Sequence, residues 1–416
     1  MRIAVVGSGI SGMVAACLLH RDHDITVFEA NAYVGGHTHT VDIGLDGKTW
    51  AVDTGFIVFN ERTYPNFIKL LRRLQVPWQN SNMSFSVHSE RTGLEYCPSS
   101  LGKLFAQRRN LLRPGFWRMI YQIFAFRRQL LTMAELPHTV TLGEHLREAR
   151  YSRAFTEDFV IPMGAAIWSS EPHRFADMPA CMFARFFANH GFLNVRDQPQ
   201  WFVIRGGSRE YARVLTEPFH DRIRLNCAVR SVRRPSDAVQ VELADGPTER
   251  FDHAIIATHS DEALALLSDP TEHERQILGA IPYQKNRVIL HTDASALPER
   301  REVWASWNYR IPREPQKAVV VTYDMNILQS LKANQQFCVT LNPALGIDPG
   351  KVLRQMVYAH PVYTPQALAA QRRHGEISGV NRTHYCGAYW GYGFHEDGVN
   401  SALAVCKYFG KGLDDV

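Results

Sequence analysis

The sequence lacks the features that mark several common classes of protein. Its seven cysteines are an odd number without a Cys-x-x-Cys pair, which argues against a disulfide framework or a zinc site and fits a reducing compartment. No apolar run reaches the ~18 residues that a membrane-spanning helix needs. The first predicted strand begins at Arg2, so we expect no signal peptide. These absences predict a cytoplasmic protein without a bound metal ion.

The composition is that of a folded globular protein. Hydrophobic residues make up 45% of the 416 residues and charged residues 21%, which suits two or three domains with a substantial core. The net charge is +5, but residues 101–134 alone hold seven basic residues and no acid, so the rest of the chain is close to neutral. Because the basic residues are confined to this one segment, we expect no nucleic-acid partner.

A glycine-rich loop lies near the start of the chain. Residues 2–6 predict a buried strand and residues 13–19 predict a helix, which is the context of a dinucleotide-binding fingerprint. The loop residues that we expect at the cofactor are Gly7, Ser8, Gly9, Ser11 and Gly12. Gly7 permits a tight turn, Gly9 lets the backbone approach a pyrophosphate, and Gly12 lets the helix pack closely on the strand. The free N–H groups at the helix start would then face the phosphates.

An acidic residue follows the second predicted strand. Residues 25–28 are apolar or β-branched, and Glu29 comes directly after them, about 20 residues beyond Gly9. This is the expected offset for an acid that binds the hydroxyl pair of a ribose, and it disfavours the 2′-phosphate of NADP. We also expect Ala30, the next residue, to contact the cofactor.

The next motifs distinguish a flavin from a nicotinamide cofactor. Gly35-Gly36-His37 follows Glu29, and a strand ending in Asp53 leads to Gly55. This order resembles the flavin amine oxidase and phytoene desaturase superfamily. The resemblance implies FAD, with the glycine pair along its pyrophosphate and Gly55 passing the flavin. His37 stands where many members have arginine.

Three later segments carry the same resemblance. A strand from Trp201 followed by a glycine turn resembles the return of the chain to the FAD domain, and Val229 stands where the family contacts adenine through its backbone. Near the C-terminus, Gly387 and Gly398 precede a predicted helix over 399–409. In the family this helix points its start at the flavin pyrimidine, so Gly398 would permit close approach and Val399 would supply an N–H group.

The resemblance implies an α/β fold in which two domains interleave. A Rossmann-like FAD/NAD(P)-binding domain would comprise residues 1–65, 200–265 and 380–416. An α+β substrate domain would comprise residues 66–199, which are mostly helical in pattern, and 266–379, which hold strand-like runs.

The basic segment 101–134 permits two interpretations. Aromatic residues are interleaved with its cations, namely Phe105, Phe116, Trp117, Tyr121, Phe124 and Phe126. Such a stretch can lie in the interface of an anionic membrane, which would make the protein peripheral at the inner membrane face. It can equally form a helical hairpin whose apolar face is buried and whose basic face is solvated.

A subgroup of the superfamily gives the best overall match. Motifs such as His291-Thr292-Asp293 and the aromatic run from Trp304 to Tyr309 resemble bacterial relatives of the N-terminal flavin domain of plant cyclopropane fatty acid synthases. This implies dehydrogenation or desaturation of a fatty acyl chain, or another apolar small molecule, by hydride transfer to flavin N5. Two alternatives stay open: an amine oxidase acting on a soluble amine with oxygen, and a flavin-bearing, non-catalytic partner of a lipid methyltransferase. Lys285 is the one catalytic candidate, as a lysine that holds water at flavin N5.

Overall fold

Strands are concentrated in residues 2–96 and 201–361, and a run of helices over 101–190 separates these two regions. The computed structural model describes residues 1–191, 198–314, 316–344 and 346–416; residues 192–197 of the predicted substrate segment 66–199 lie outside this description. In chain order the strands are β1 (Arg2–Val6), β2 (Asp24–Phe28), β3 (Thr40–Leu45), β4 (Lys48–Asp53), β5 (Val58–Asn60), β6 (Trp78–Ser81), β7 (Phe85–Ser89), β8 (Leu94–Tyr96), β9 (Trp201–Ile204), β10 (Ile223–Arg224), β11 (Val229–Arg233), β12 (Val239–Leu243), β13 (Thr248–Phe251), β14 (His253–Ile256), β15 (Tyr283–His291), β16 (Trp307–Ile311), β17 (Val321–Asp324), β18 (Cys338–Leu341), β19 (Val352–Pro361) and β20 (Thr383–Tyr385).

The α-helices range from single turns to one long element. They are α1 (Ile10–Leu19), α2 (Pro65–Arg73), α3 (Leu101–Leu104), α4 (Pro114–Ala134), α5 (Leu142–Glu148), α6 (Arg153–Phe155), α7 (Ile161–Trp168), α8 (Pro172–Phe175), α9 (Ala180–His190), α10 (Arg209–Thr216), α11 (Ser260–Leu266), α12 (Glu272–Leu278), α13 (Met325–Leu328), α14 (Pro365–Gln371) and α15 (His395–Cys406). Within the described residues, none of these helices combines the length and the hydropathy needed to cross a membrane.

A five-stranded parallel sheet has the order β10-β2-β1-β14-β20. Its central strands are apolar on both faces, as expected of a parallel sheet covered on both sides. Ile3, Val5 and Ile255 are buried on one face, and Ala4, Ala254 and Ile256 are buried on the other. Helix α1 is buried along its whole length and packs against the closing helix α15. The predicted α/β class is confirmed.

A seven-stranded mixed sheet has the order β19-β15-β18-β17-β16-β7-β8. The predicted strands over 287–290 and 337–341 lie in β15 and β18, and the run over 318–323 becomes the shorter β17. Helices α4 and α9 pack together, and the largest apolar core of the described residues joins them to this sheet. The parallel strands come from residues 2–28, 223–256 and 383–385, but the exact domain boundaries stay a prediction.

Two local predictions differ from the structure. Strand β9 does not join the parallel sheet; it pairs with β5 and β6 in a separate three-stranded sheet. The closing helix begins at His395 rather than Val399. The Asp397 carboxylate accepts the Phe394 N–H at 3.0 Å, and this cap starts the helix four residues earlier than its apolar pattern indicates.

His291, from the motif His291-Thr292-Asp293, stabilises the interior of the seven-stranded sheet. Its Nε2 lies 2.7 Å from the Thr340 hydroxyl, and the Asp293 N–H donates to its Nδ1 at 3.0 Å. Because Nδ1 accepts a hydrogen bond, the ring is neutral with its proton on Nε2. Burial lowers the pKa of His291 to about 4.

This depressed pKa predicts loss of stability in acid. The unfolded chain takes up the proton first, so the contribution of His291 is present above pH 6.5 and is lost as the pH falls through about 4. Between pH 6.5 and about 4, we expect the unfolding free energy of the wild type to fall by about 3 kcal/mol more than that of His291→Gln. Urea unfolding at a series of pH values measures it, with the exposed His220→Gln as the matched control. Parallel curves for wild type and His291→Gln would contradict the assignment.

Candidate functional site

A cavity of about 860 Å³ lies at the carboxyl ends of the parallel strands. Gly7 follows β1, Glu29 follows β2 and Ala257 follows β14, and all three line it. Ligands of open α/β sheets bind at this edge. The predicted site residues in the lining are Gly7, Ser8, Gly9, Ser11, Glu29, Ala30, Gly35, Gly36, His37, Gly55, Val229, Lys285 and Gly387.

The two glycine loops of the N-terminal region meet in this cavity. Gly7 has φ +99°, and its N–H donates to the Phe28 carbonyl at 2.8 Å. A Cβ on Gly36 would lie 3.3 Å from the Cα of Gly9, so the second loop rests on the first. The structure therefore brings together the residues that the resemblance assigns to the pyrophosphate.

Gly9 shows that this surface fits a dinucleotide. A Cβ on Gly9 would meet no protein atom within 4 Å, so protein packing does not demand glycine there. Gly9 is the N-cap residue of α1 and has no side chain that could accept a hydrogen bond. The first-turn N–H groups that a capping side chain would bind therefore receive no hydrogen bond from Gly9. Open space beside a helix start is what an approaching phosphate requires, and FAD would fill it with its pyrophosphate.

Glu29 lines the cavity and also fixes the position of the first glycine loop through hydrogen bonds. One carboxylate oxygen accepts the Ser8 N–H at 2.9 Å and the Ser8 hydroxyl at 2.6 Å; the other accepts the N–H and the amide of Asn31, both at 2.8 Å. A carboxylate has about four acceptor positions. A ribose hydroxyl would therefore share these oxygens with the protein. The spacing between Gly9 and Glu29 in the sequence does not reveal this competition.

Three predicted residues lie outside the lining. A Cβ on Gly12 would come within 2.0 Å of the Gly7 carbonyl oxygen, which agrees with its predicted role in helix packing. Gly398 contacts α1, because its Cβ would lie 2.5 Å from Ile10 and its carbonyl accepts the Ser11 hydroxyl at 3.0 Å. Val399 is fully buried beyond the first turn of α15. The predicted flavin contacts of Gly398 and Val399 have no support in this geometry.

His37 differs from an arginine at the same place. Its ring lies 5.4 Å from that of His360, 5.9 Å from that of His259 and 5.0 Å from that of Tyr358. Burial and these neighbouring histidines lower the pKa of His37 well below its usual value, and burial lowers that of His360 to about 4. His37 is therefore a neutral ring, and its buried Nε2 has no hydrogen-bond partner among the described residues. It can donate or accept one hydrogen bond to a bound group but supplies no charge.

A buried polar cluster beneath the loop was not predicted. Thr38 Oγ1 lies 2.5 Å from the Tyr211 hydroxyl, and both lie about 3 Å from His395 Nε2. The His395 ring stacks on Phe56 with centroids 3.5 Å apart, and burial lowers its pKa to about 3. The cluster joins segments distant in the sequence, so no local motif indicates it.

A second part of the lining is apolar and comes from the mixed sheet, from helices α7 and α9, and from the loops before β7 and α15. Its larger members are Met83, Ile167, Trp168, Phe186, Val288, Trp307, Tyr323, Leu341, Tyr392 and Phe394. Trp168 and Phe186 have centroids 4.5 Å apart, and Trp307 and Tyr323 are edge-to-face at 5.0 Å. Trp307 belongs to the aromatic run that the sequence shows over 304–309, whereas no local sequence pattern distinguishes Trp168 and Phe186 from other apolar residues of a helix.

Neither His395-Glu396-Asp397 nor any other group forms a metal site in the part of the chain that the structure describes. The three side chains diverge: His395 faces Tyr211, the Glu396 carboxylate accepts the Phe67 N–H at 2.9 Å, and Asp397 caps its own helix. Burial raises the pKa of Asp397 to about 7.

Gly9→Ala tests the proposed pyrophosphate contact. The methyl group would enter open space in the protein, so we expect the free energy of unfolding of the apoprotein to change by less than about 1 kcal/mol. The same methyl would occupy the room of a phosphate, so the Kd for FAD should rise about tenfold or more. Flavin fluorescence titration measures this. Gly44→Ala is the matched control, since its Cβ is also unobstructed but lies outside the cavity. Unchanged FAD affinity in Gly9→Ala would refute the assignment.

Comparison with known proteins shows the family of the chain and its fold. A family model described as flavin containing amine oxidoreductase matches residues 10–300. The solved structures that are similar include a CLA-producing fatty acid isomerase from P. acnes (TM-score 0.72, 15% identity, 98% of each chain). They also include cyclohexylamine oxidase from Brevibacterium oxydans IH-35A (TM-score 0.71, 15% identity, 98% of this chain and 99% of that one). At such identities the similarity shows the fold alone.

A curated relative matches over a short stretch. Tryptophan 2-monooxygenase of Allorhizobium ampelinum is 54% identical over 41 residues, which is 9% of this chain and 6% of that protein. The chain thus aligns with only a small part of that relative's length.

Proposed function

Because the chain belongs to the flavin-containing amine oxidoreductase family, whose members are FAD-dependent oxidoreductases, we propose that it dehydrogenates the acyl chain of a lipid. The observation that carries the proposal is the apolar part of the cavity, which adjoins the glycine loops within one continuous space. FAD, when bound, supplies a hydride acceptor at N5. The residues of the chain then need to bind and orient an apolar substrate and exclude water.

The acidic side chains of the lining do not favour a cationic substrate. Of the acidic side chains in the described residues, Glu29 and Glu262 are the two that line the cavity. Glu29 accepts hydrogen bonds from the glycine loop, and Glu262 accepts the His259 N–H at the start of α11. The apolar part therefore offers no carboxylate to an ammonium group, whereas its aliphatic and aromatic side chains favour burial of methylene groups.

The reaction balances as a two-electron dehydrogenation. One C–H bond of the acyl chain would break with its electron pair, for which bound FAD would be the acceptor, and the neighbouring carbon would release a proton that passes to bulk solvent. A carbon–carbon double bond would form in the acyl chain. Dioxygen would be the final acceptor of the two electrons and, with two protons, would leave as hydrogen peroxide; another two-electron acceptor could replace it.

Two resemblances support an acyl substrate. The motifs of residues 291–293 and 304–309 resemble the flavin domain of plant cyclopropane fatty acid synthases. The similar structure from P. acnes is named as an isomerase of a fatty acid. A lipid methyltransferase as partner remains a prediction that follows from the first resemblance.

An amine oxidase is the second candidate function. The edge-to-face pair of Trp307 and Tyr323 is an aromatic surface against which a neutral amine could bind, and cyclohexylamine oxidase shares the fold. Lys285 lies within β15 and lines the cavity, and its ammonium group has no hydrogen-bond or ion-pair partner among the described residues. Its role in holding water at flavin N5 stays a prediction.

Anaerobic mixing separates these functions. We expect a phospholipid with long acyl chains to bleach the flavin absorbance of the holoprotein, with formation of a product lighter by two hydrogen atoms in mass spectrometry. Cyclohexylamine and putrescine are mixed with the holoprotein in the same way to test the amine oxidase alternative. Bleaching by an amine alone would establish the second candidate instead, and no bleaching by either class would favour the non-catalytic partner role.

Met83→Trp tests the apolar part of the cavity as the acyl site. Met83 is half-buried in the lining, so a larger side chain there should shorten the space available to the chain. We expect KM for a long acyl chain to rise about tenfold, with a smaller change for a short one, because each excluded methylene forfeits hydrophobic binding. The half-buried Met356→Trp, outside the lining, is the control. Equal effects on both chain lengths would argue against this location.

A further inference from the structure

The long helix α4 presents apolar side chains on two faces. Its inner face packs into the core through Phe116, Met119, Phe126, Leu130 and Met133. Its outer face carries a row of exposed residues, Trp117, Tyr121, Phe124, Arg128 and Leu131, which we call the α4 stripe. The spacing of four, three, four and three residues places them in one line along roughly 20 Å of helix.

The exposure of the α4 stripe is large for apolar side chains. Trp117 is 47% exposed, Tyr121 71%, Phe124 45% and Leu131 75%. The turn that precedes the helix extends the same surface: Leu112 is 87% exposed, and the Trp117 indole donates to the Leu111 carbonyl at 2.9 Å. The fold is already stabilised by the inner face, so this contiguous outer patch indicates a binding surface.

The segment 101–134 that contains the stripe carries positive charge that is not paired with carboxylates. None of the seven basic residues of segment 101–134 forms an ion pair with a carboxylate in the part of the chain described. The hydrogen bonds that some of them make go to neutral acceptors: Lys103 donates to the Trp304 carbonyl, Arg109 to the Gly93 carbonyl and Arg113 to the Asn110 side chain. These guanidinium and ammonium groups therefore remain available to an anionic partner.

A second cavity adjoins the turn before α4. It measures about 1140 Å³ and is lined by six arginines, Arg108, Arg109, Arg300, Arg301, Arg310 and Arg313, against the three glutamates Glu90, Glu95 and Glu299. Two of those glutamates already face arginines, Glu90 with Arg310 at 3.0 Å and Glu95 with Arg300 at 3.6 Å. The side chains of Arg108 and Arg313 have no polar partner among the described residues, so the cavity keeps an excess of positive charge.

We propose that the α4 stripe and the arginine-lined cavity form one docking surface for a bilayer of anionic phospholipids. The aromatic and leucine side chains enter the boundary between headgroups and acyl chains. The surrounding cations bind the headgroup phosphates, because Arg pairs with phosphate in bidentate geometry. Arg108 and Arg109 line the cavity, and the short turn that begins with them, Arg108–Leu112, leads into α4, which carries the stripe.

Charge argues for a membrane over a second copy of the chain. A two-fold dimer through this face would set the same basic segment against itself, and the repulsion between like charges would oppose association. An anionic bilayer presents the complementary charge across the whole patch. This surface lies outside the FAD cavity, so the inference does not depend on which substrate the protein oxidises.

Vesicle flotation tests the proposal with the FAD-loaded protein. We expect it to float with vesicles of phosphatidylcholine mixed with phosphatidylglycerol and to stay behind with phosphatidylcholine alone. High salt should release it, since the Debye length falls to about 3 Å at 1 M ionic strength. The triple variant Arg108→Gln/Arg118→Gln/Arg128→Gln should bind anionic vesicles roughly tenfold or more weakly, as should Trp117→Ser/Tyr121→Ser/Phe124→Ser.

The matched control removes three exposed cations from elsewhere, as Lys48→Gln/Arg275→Gln/Lys332→Gln, and should float like wild type. All the changed residues are exposed, and flavin absorbance with circular dichroism verifies that each variant folds. Absence of flotation, equal binding to both vesicle types, or unaltered binding by the two surface variants would each overturn the proposal. A vesicle-free dimer that the Trp117 variant converts to monomer, without flotation, would assign the surface to a second copy instead.

Discussion

The cavity depends on the close approach of the two ends of the chain through glycine contacts. Gly12 permits α1 to lie against its own loop, and Gly398 permits α15 to lie against Ile10. The Ser11 hydroxyl donates to the Gly398 carbonyl and ties the two helices together. Any side chain at either glycine would force these elements apart, because backbone atoms or a branched side chain already occupy the space. The glycine loops can line one cavity only because this packing is so tight.

The chemistry of the site arises where two sheets of different kind meet. The parallel sheet supplies loops rich in N–H groups and small residues, which suit phosphates and a ribose. The mixed sheet and the helices α7 and α9 supply indole, phenyl and aliphatic groups, which suit methylene chains. Polar anchoring of a cofactor and apolar binding of a substrate thus belong to separate elements. His37 and His360 are held neutral by burial, so they add hydrogen bonding to this space without adding charge.

The two faces of the long helix α4 have different roles. Helix α4 stabilises the protein with one face and leaves aromatic side chains and arginines in water on the other. The sequence of segment 101–134 permits two interpretations, a membrane interface or a helical hairpin with a buried apolar face and a solvated basic face. In the structure one face of α4 is buried, as the second interpretation predicts. The opposite face carries the exposed apolar residues of the α4 stripe, which a face made only of solvated basic residues would not have.

The sequence by itself determined the fold class, the first strands and the glycine loops, because apolar periodicity and glycine spacing act over short distances. Through a resemblance it also assigned Gly36 to the same pyrophosphate as Gly9, and the structure has these two glycines side by side. Only the tertiary structure decided that Asp397 starts α15 early and that Gly398 serves helix packing. The same holds for the cluster of Thr38, Tyr211 and His395 and for the apolar wall of the cavity. These features are contacts between residues far apart along the chain, which no local pattern records and which exist only after the sheets have packed.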